Sequence, residues 1–422
     1  MKRLVQLACL LGLVLGPGAG AWAQDGIALR ASKVVTCALD AQGRALPEGV
    51  VNRGVVLVRE GRIERVLSST EEVPAGYELI EHDDLWIVPG MIDLHTHVAG
   101  SFDINDTVYQ ANPGLRVNVA VVPDNRSLQR AVAAGVTTHL FIPGSGSNIG
   151  GQGVLIKTAP RSYEEMVIRD PGSLKVAQAD NPKRWGYRMN RIFLNWTIRE
   201  AFQRGADYAL AWQAFEEGTG PEPERDIQFD VFRELFAGRT QISAHTQVHQ
   251  VVLASIKIMA DEFGLDLYID HGTFDGYLAT DEALEHDVAG IIGPRVVNNQ
   301  NKGRGIDTDG AIVGVAAEYQ RRGMVKIGFN TDAPVAPAEE LPLQAAMGVR
   351  YGFDDSNLQA LLGLTIVPAQ VAGIDHRVGS LEPGKDADFV ILTGHPADPR
   401  SSVERVYVEG ELVYSAEEGR LF

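Results

Sequence analysis

Two histidines separated by one residue close an apolar run in "VPGMIDLHTHVAG", and they open the search for chemistry in this 422-residue chain. On an extended strand, residues two apart point the same way, so His95 and His97 can offer both imidazoles to one metal ion. An isolated His-x-His is a cheap pattern that equally describes a solvated strand end, and its context decides. "ISAHTQ" and "YIDHGT" each end an apolar, strand-like run with a histidine, His245 and His271, and "IGFNTDAP" ends another with Asp332. Imidazole and carboxylate suit zinc, manganese or iron, and this set is large enough for one or two divalent ions.

The elements that must position these groups follow a rhythm. From Gly90 onward, buried strand-like runs ("VTTHLFIPG", "GVLIKTA", "QISAHT", "LDLYIDHG", "AGIIGP", "VKIGFNTD") alternate with helical stretches such as 127–134, 248–263, 341–351 and 356–365. Alternating β and α over this length predicts a parallel (β/α)8 TIM barrel, whose active sites lie where the strands end. The segments before Gly90 and after Pro368 are instead short apolar strands broken by turn residues, and they predict one small β-sandwich built from both termini. The expected boundaries are a signal peptide over 1–23, sandwich over 24–89, barrel over 90–370 and sandwich again over 371–422.

The signal reading rests on Lys2 and Arg3, an apolar run to Gly16, and Ala21-Trp22-Ala23, after which the mature chain begins near Gln24. Leu7-Ala8-Cys9 resembles a lipoprotein site, but cleavage there leaves almost no apolar segment before it. An exported, periplasmic or extracellular protein with no membrane span after cleavage is expected. Loss of Cys9 leaves Cys37 alone, which excludes a disulfide within the mature chain. The formal charge of −17 opposes phosphate backbones and argues against a nucleic-acid partner.

With "PGMIDLHTH", "GVTTHLFIPG", single histidines on two later strands, "NTDAP" and the closing "RVGSLEPGKDADFVIL", the sequence resembles the amidohydrolase superfamily, and among it secreted, imidazolonepropionase-like and prolidase-like members. The resemblance covers nearly the whole mature chain. It implies that His95, His97 and Asp332 bind the more buried ion, with zinc typical of such a ligand set. It also implies that His245 and His271 bind a second ion or, in one-metal members, hold metal and substrate.

Two-metal members bridge the ions with a carbamylated lysine or a glutamate from mid-barrel. Lys175, placed where a fourth strand should fall, and Lys157, at the end of the third, compete for that role. The resemblance further implies hydrolysis of a C–N amide bond in a dipeptide, an N-acyl amino acid or a cyclic amide by metal-activated water, with Asp332 as proton shuttle. A mononuclear deaminase or imidazolone-type ring hydrolase, and a barrel that binds without catalysis, stay open beside it.

In "WGYRMNR", Tyr187 and Arg191 are candidates to clamp a substrate carboxylate, against the alternative of a surface helix start. "NIGGQG" lacks the lysine and hydroxyl of a phosphate loop. His139 and His249 suit supporting or structural roles. The expected partner is a small amide or dipeptide-like molecule, and a homo-oligomer is compatible with everything above.

Overall fold

A computed structural model describes residues 26–101, 103–159, 161–178, 181–183, 190–294, 297–299 and 312–421. The expected signal segment 1–23 and Tyr187 lie outside the described residues. Among the described residues no helix is long and apolar enough to cross a membrane.

The two ends of the chain meet in one hydrogen-bonded sheet. Its order runs Glu411–Ser415, Val403–Val408, Phe389–Leu392, Tyr77–Pro89, Gly26–Val35, Val55–Arg59, Arg62–Leu67, with Val50–Asn52 paired to the side of Gly26–Val35. The seam between termini is the antiparallel pairing of Phe389 with Pro89 and Leu392 with Trp86. The strand alternation read from the sequence thus produces a continuous sheet to which both ends contribute.

A second sheet of eight strands curls into a nearly closed barrel. In chain order the strands are Met91–Thr96, Val136–Phe141, Ile149–Lys157, Val167–Ala177, Ile242–Thr246, Leu267–His271, Ala289–Ile292 and Ile327–Phe329, each hydrogen-bonded to the next. The first and eighth meet through a parallel bridge between Thr96 and Ala333 and a bond from His97 N to Ala333 O of 2.9 Å. Strands such as Met91–Thr96 and Val136–Phe141 are buried at every residue, as expected where both sheet faces are covered. The first crossover helix, Arg126–Ala133, shows how the cover forms. Asn125 caps it by accepting from Ser127 N, and Leu128, Ala131 and Val132 form its buried stripe.

The uniform βα repeat expected from the sequence is corrected at one place. The third strand is antiparallel to both neighbours, with Thr138 opposite Lys157 and Ile156 opposite Val167. The cause is the connection 142–148, which is too short for the crossover of a dozen or more residues that a parallel strand needs. Reversal carries the end of this strand, Lys157, to the base of the barrel, opposite the face where its neighbours end.

There Lys157 is 1% exposed. Its Nζ donates to Asp386 Oδ2 at 2.8 Å and to Asp388. Arg377 and Arg62 complete the charges around Asp386, and Asp388 Oδ1 accepts from Glu409 N at 2.8 Å. The "GKDAD" turn therefore docks the terminal sheet onto the barrel by ion pairs, and the bridging role allowed for Lys157 is excluded by its position.

Candidate metal centre

At the opposite face, the barrel brings the ligand-type residues together. His95 and His97 come from the end of the first strand, Lys175 from the fourth, His245 from the fifth, His271 from the sixth, and Asp332 from the segment after the eighth. Asp332 Oδ1 lies 3.2 Å from His97 Nε2 and 3.4 Å from His95 Nε2, and Oδ2 lies 3.8 Å from His271 Nε2. His271 Nε2 stands 2.9 Å from His245 Nδ1, and Lys175 Nζ stands 3.0 Å from His95 Nε2. His95 is fully buried, and the others are nearly so, with the Asp332 side chain 15% exposed.

The geometry fits a divalent ion. Donor atoms of His95, His245 and His271, and separately of His95, His97 and Asp332, lie within 4.8 Å of one another. Two ligands each about 2.1 Å from a tetrahedral ion stand roughly 3.4 Å apart, which is the spacing of Asp332 Oδ1 from His95 and His97. The protonation states fit as well, because a ligand must present a free lone pair. Burial, reinforced by the Lys175 charge, pushes the His95 imidazole down to about 3. Burial and the neighbouring His95 push His271 down to about 4, and burial with His271 beside it holds His245 well below the usual range. Burial works to raise Asp332, but His271 and hydrogen bonds from His95 and His97 outweigh it and hold the carboxylate well below its ordinary value.

Supporting groups fix the rings. His97 Nδ1 faces Ile142 O at 2.9 Å and His271 Nδ1 faces Gly293 O at 2.6 Å, so each donates its outer N–H and turns Nε2 to the centre. Asp93 Oδ1 accepts from His95 N at 3.1 Å, and Oδ2 accepts from Thr331 Oγ1 at 2.5 Å, joining the first strand to the segment that carries Asp332. Asp270 Oδ2 stands 2.8 Å from His95 Nδ1, close but not aligned as a hydrogen bond. Burial raises both carboxyls, Asp93 and Asp270, to about 7. His271 and Asp332 hold positive φ, +68° and +49°, conformations that non-glycine residues adopt at a cost and that cluster at functional sites.

Lys175 is fully buried and has its amine lowered to about 8 by burial, with Asp270 and Asp332 opposing that shift. Arg191 opens the helix Arg191–Glu216 and lines a small recess with Gln178, Asn195 and Gln250, beside the ends of the fourth and fifth strands. His139 is buried on the second strand, with both ring nitrogens unbonded, and is not among the converging donors. His249 begins the helix after His245, its backbone N bonded to Asp275 Oδ1.

Asp93 and Asp270 were missed from the sequence, although Asp93 shares the strand face of His95 at a spacing of two and Asp270 adjoins His271. Ser145 was missed too: its Oγ reaches His245 Nδ1 at 2.9 Å from between the two segments "GVTTHLFIPG" and "NIGGQG", neither of which includes it.

A model of the amidohydrolase family matches residues 306–413. The amidohydrolase tasK of Hapsidospora irregularis is 25% identical over 391 residues, covering 85% of this chain; the chain spans only 39% of that relative's length. The imidazolonepropionase of Klebsiella pneumoniae is 24% identical over 400 residues, covering 87% of this chain and 94% of the relative. Among solved structures, an amidohydrolase from Thermotoga maritima superposes with a TM-score of 0.78 at 28% identity, covering 92% of this chain and all of that one. The family model, these relatives and the solved structure, together with the clustered histidines and aspartate, support a place for the chain in the amidohydrolase superfamily and an activity on carbon–nitrogen bonds.

Proposed function

We propose that the chain hydrolyses the C–N bond of an amide, in a dipeptide, an N-acyl amino acid or a cyclic amide. In this reading His95, His97, His245, His271, Asp332 and a carbamylated Lys175 hold two divalent ions, with zinc suited to the ligands. The barrel is read as a (β/α)8 barrel with its third strand reversed, and the enzyme as one exported after removal of residues 1–23.

Lys175 carries the reading. Its amine is buried against His95 Nε2 at 3.0 Å with no carboxylate in hydrogen-bonding range among the described residues, an expensive place for a cation. With its pKa lowered to about 8, a useful fraction is neutral near pH 7 and able to add carbon dioxide. The carbamate so formed replaces a buried positive charge with an anionic ligand.

Ions bound here would supply Lewis acidity and acidify coordinated water to a pKa of roughly 7. The chain's own residues do the rest. Neutral imidazoles orient the site, the buried floor excludes bulk water, and Asp332, held ionised and partly exposed, accepts a proton and returns it to the leaving nitrogen.

A second reading, a one-metal hydrolase of an imidazolone-like ring, is favoured by the same lysine if it stays unmodified. A cation 3.0 Å from His95 Nε2 repels a second ion and frees His245 and His271 for substrate.

The test is metal content by plasma mass spectrometry together with carbon dioxide released by acid, followed by turnover of dipeptides, N-acyl amino acids, lactams and imidazolones. Two ions and one carbamate per chain, reduced to one ion or none in Lys175→Ala, support the two-metal reading. One ion without carbamate transfers support to the ring hydrolase, and a chain that takes up no metal overturns both.

A further inference from the structure

One buried hydroxyl at the cluster has no task in the chemistry above. Ser145 lies in the connection 142–148, every residue of which is buried, and its Oγ stands 2.9 Å from His245 Nδ1. That nitrogen is on the cluster side of the ring, because it also faces His271 Nε2 at 2.9 Å, while His245 Nε2 is buried on the far side without a partner. A group that only orients a ligating imidazole bonds to the nitrogen turned away from the ion. Ser145 bonds to the other one.

An imidazole nitrogen has a single lone pair. When Nδ1 is engaged by an ion, Ser145 loses its acceptor. At 4% exposure it has little access to solvent, and an unbonded buried hydroxyl is costly. A molecule bound at the centre, next to His245 and His271, would offer the replacement partner.

The loop is built to keep the hydroxyl there. On one flank Asn105 Oδ1 accepts from Gly146 N at 3.0 Å. A Cβ on Gly144 or Gly146 would fall 2.4 and 2.8 Å from that same oxygen, so a side chain at either position would have to displace Asn105. On the other flank Asn148 Nδ2 donates to Ala177 O at 2.9 Å, and Ala177 N donates to Asn148 O at 2.8 Å, tying the loop to the strand that carries Lys175. Asn105, Pro143 and Gly150 also border a cavity of about 430 Å³.

We propose that Ser145 is a substrate-contacting residue whose hydroxyl hydrogen-bonds the scissile amide at the centre. The inference rests on the hydrolase reading. Its competitor is a residue that merely positions His245, and the two differ in what removal of the hydroxyl changes.

The experiment compares full-length wild type, Ser145→Ala and Ser145→Cys, metal-loaded and checked for folding by circular dichroism. It measures metal per chain and the Kd for acetohydroxamate, an amide-like chelating probe, by calorimetry. Both variants should keep wild-type metal content and bind the probe roughly 3- to 10-fold more weakly, the loss expected for one hydrogen bond. Unchanged probe affinity overturns the proposal, and reduced metal content with unchanged affinity per loaded site assigns the positioning role instead. If wild type takes up no metal at all, the hydrolase reading itself has failed. The Cys variant, close in size to Ser, keeps the test decisive if Ala disturbs the loop.

Discussion

Replacing Lys157 with methionine should destabilise the protein while leaving its metal centre intact. The side chain is 1% exposed and bonded to Asp386 and Asp388, so its removal strands buried negative charge at the joint between barrel and terminal sheet. Breaking a buried ion pair from one side costs about 3–5 kcal/mol. Taking some 400 residues as one cooperative unit, an unfolding entropy of about 2.1 cal/mol/K per residue sums to roughly 0.8 kcal/mol/K. The melting temperature should therefore fall by about 4–6 °C in scanning calorimetry. The double variant Lys157→Met, Asp388→Asn should recover part of the loss, because it no longer leaves that carboxylate uncompensated. A shift below about 1 °C would refute the buried-pair argument. Loss of bound metal at unchanged melting temperature would instead return Lys157 to the catalytic centre.

Asp332→Ala should leave a folded chain whose turnover falls at least 10²-fold, the lower range for a lost proton-transfer group, and steady-state kinetics with circular dichroism check it. Unchanged turnover would remove Asp332 from the mechanism. Burial raises the Cys37 thiol from 9.0 to about 12, offset in part by Thr365. The folded thiol therefore stays protonated where the unfolded one ionises, and its contribution to stability is complete below pH 9 and lost as pH rises toward 12. At pH 8 a disulfide reagent should react with Cys37 only after denaturant is added; rapid labelling of native protein would contradict the burial. If residues 1–23 direct export, the secreted protein should show an intact mass that begins near Gln24, and a retained Met1 would rule this out.

The converging residues were legible for a simple reason. A ligand at a strand end announces itself twice, by chemical type and by following an apolar run, and His95, His97, His245, His271 and Asp332 all do so. Lys175 and Lys157 both satisfy that rule, and sequence could not separate them. The difference is strand direction: a short connection turned the third strand around and sent Lys157 to the base of the barrel. Direction depends on which neighbours a strand pairs with, and local pattern carries little of that.

The sequence by itself determined most of the strand-like runs, the contribution of both ends to a β-rich unit, and the list of residues able to hold metal, because periodicity and residue type are local properties. Tertiary structure alone decided which lysine stands by the histidines and how Asp93 and Asp270 brace them. It also decided that Ser145, which lies in neither quoted motif, reaches the centre. Those are contacts between residues far apart in the chain, such as Lys175 with His95 and Lys157 with Asp388. They come into being only when the barrel closes and burial forces each polar group to find a partner.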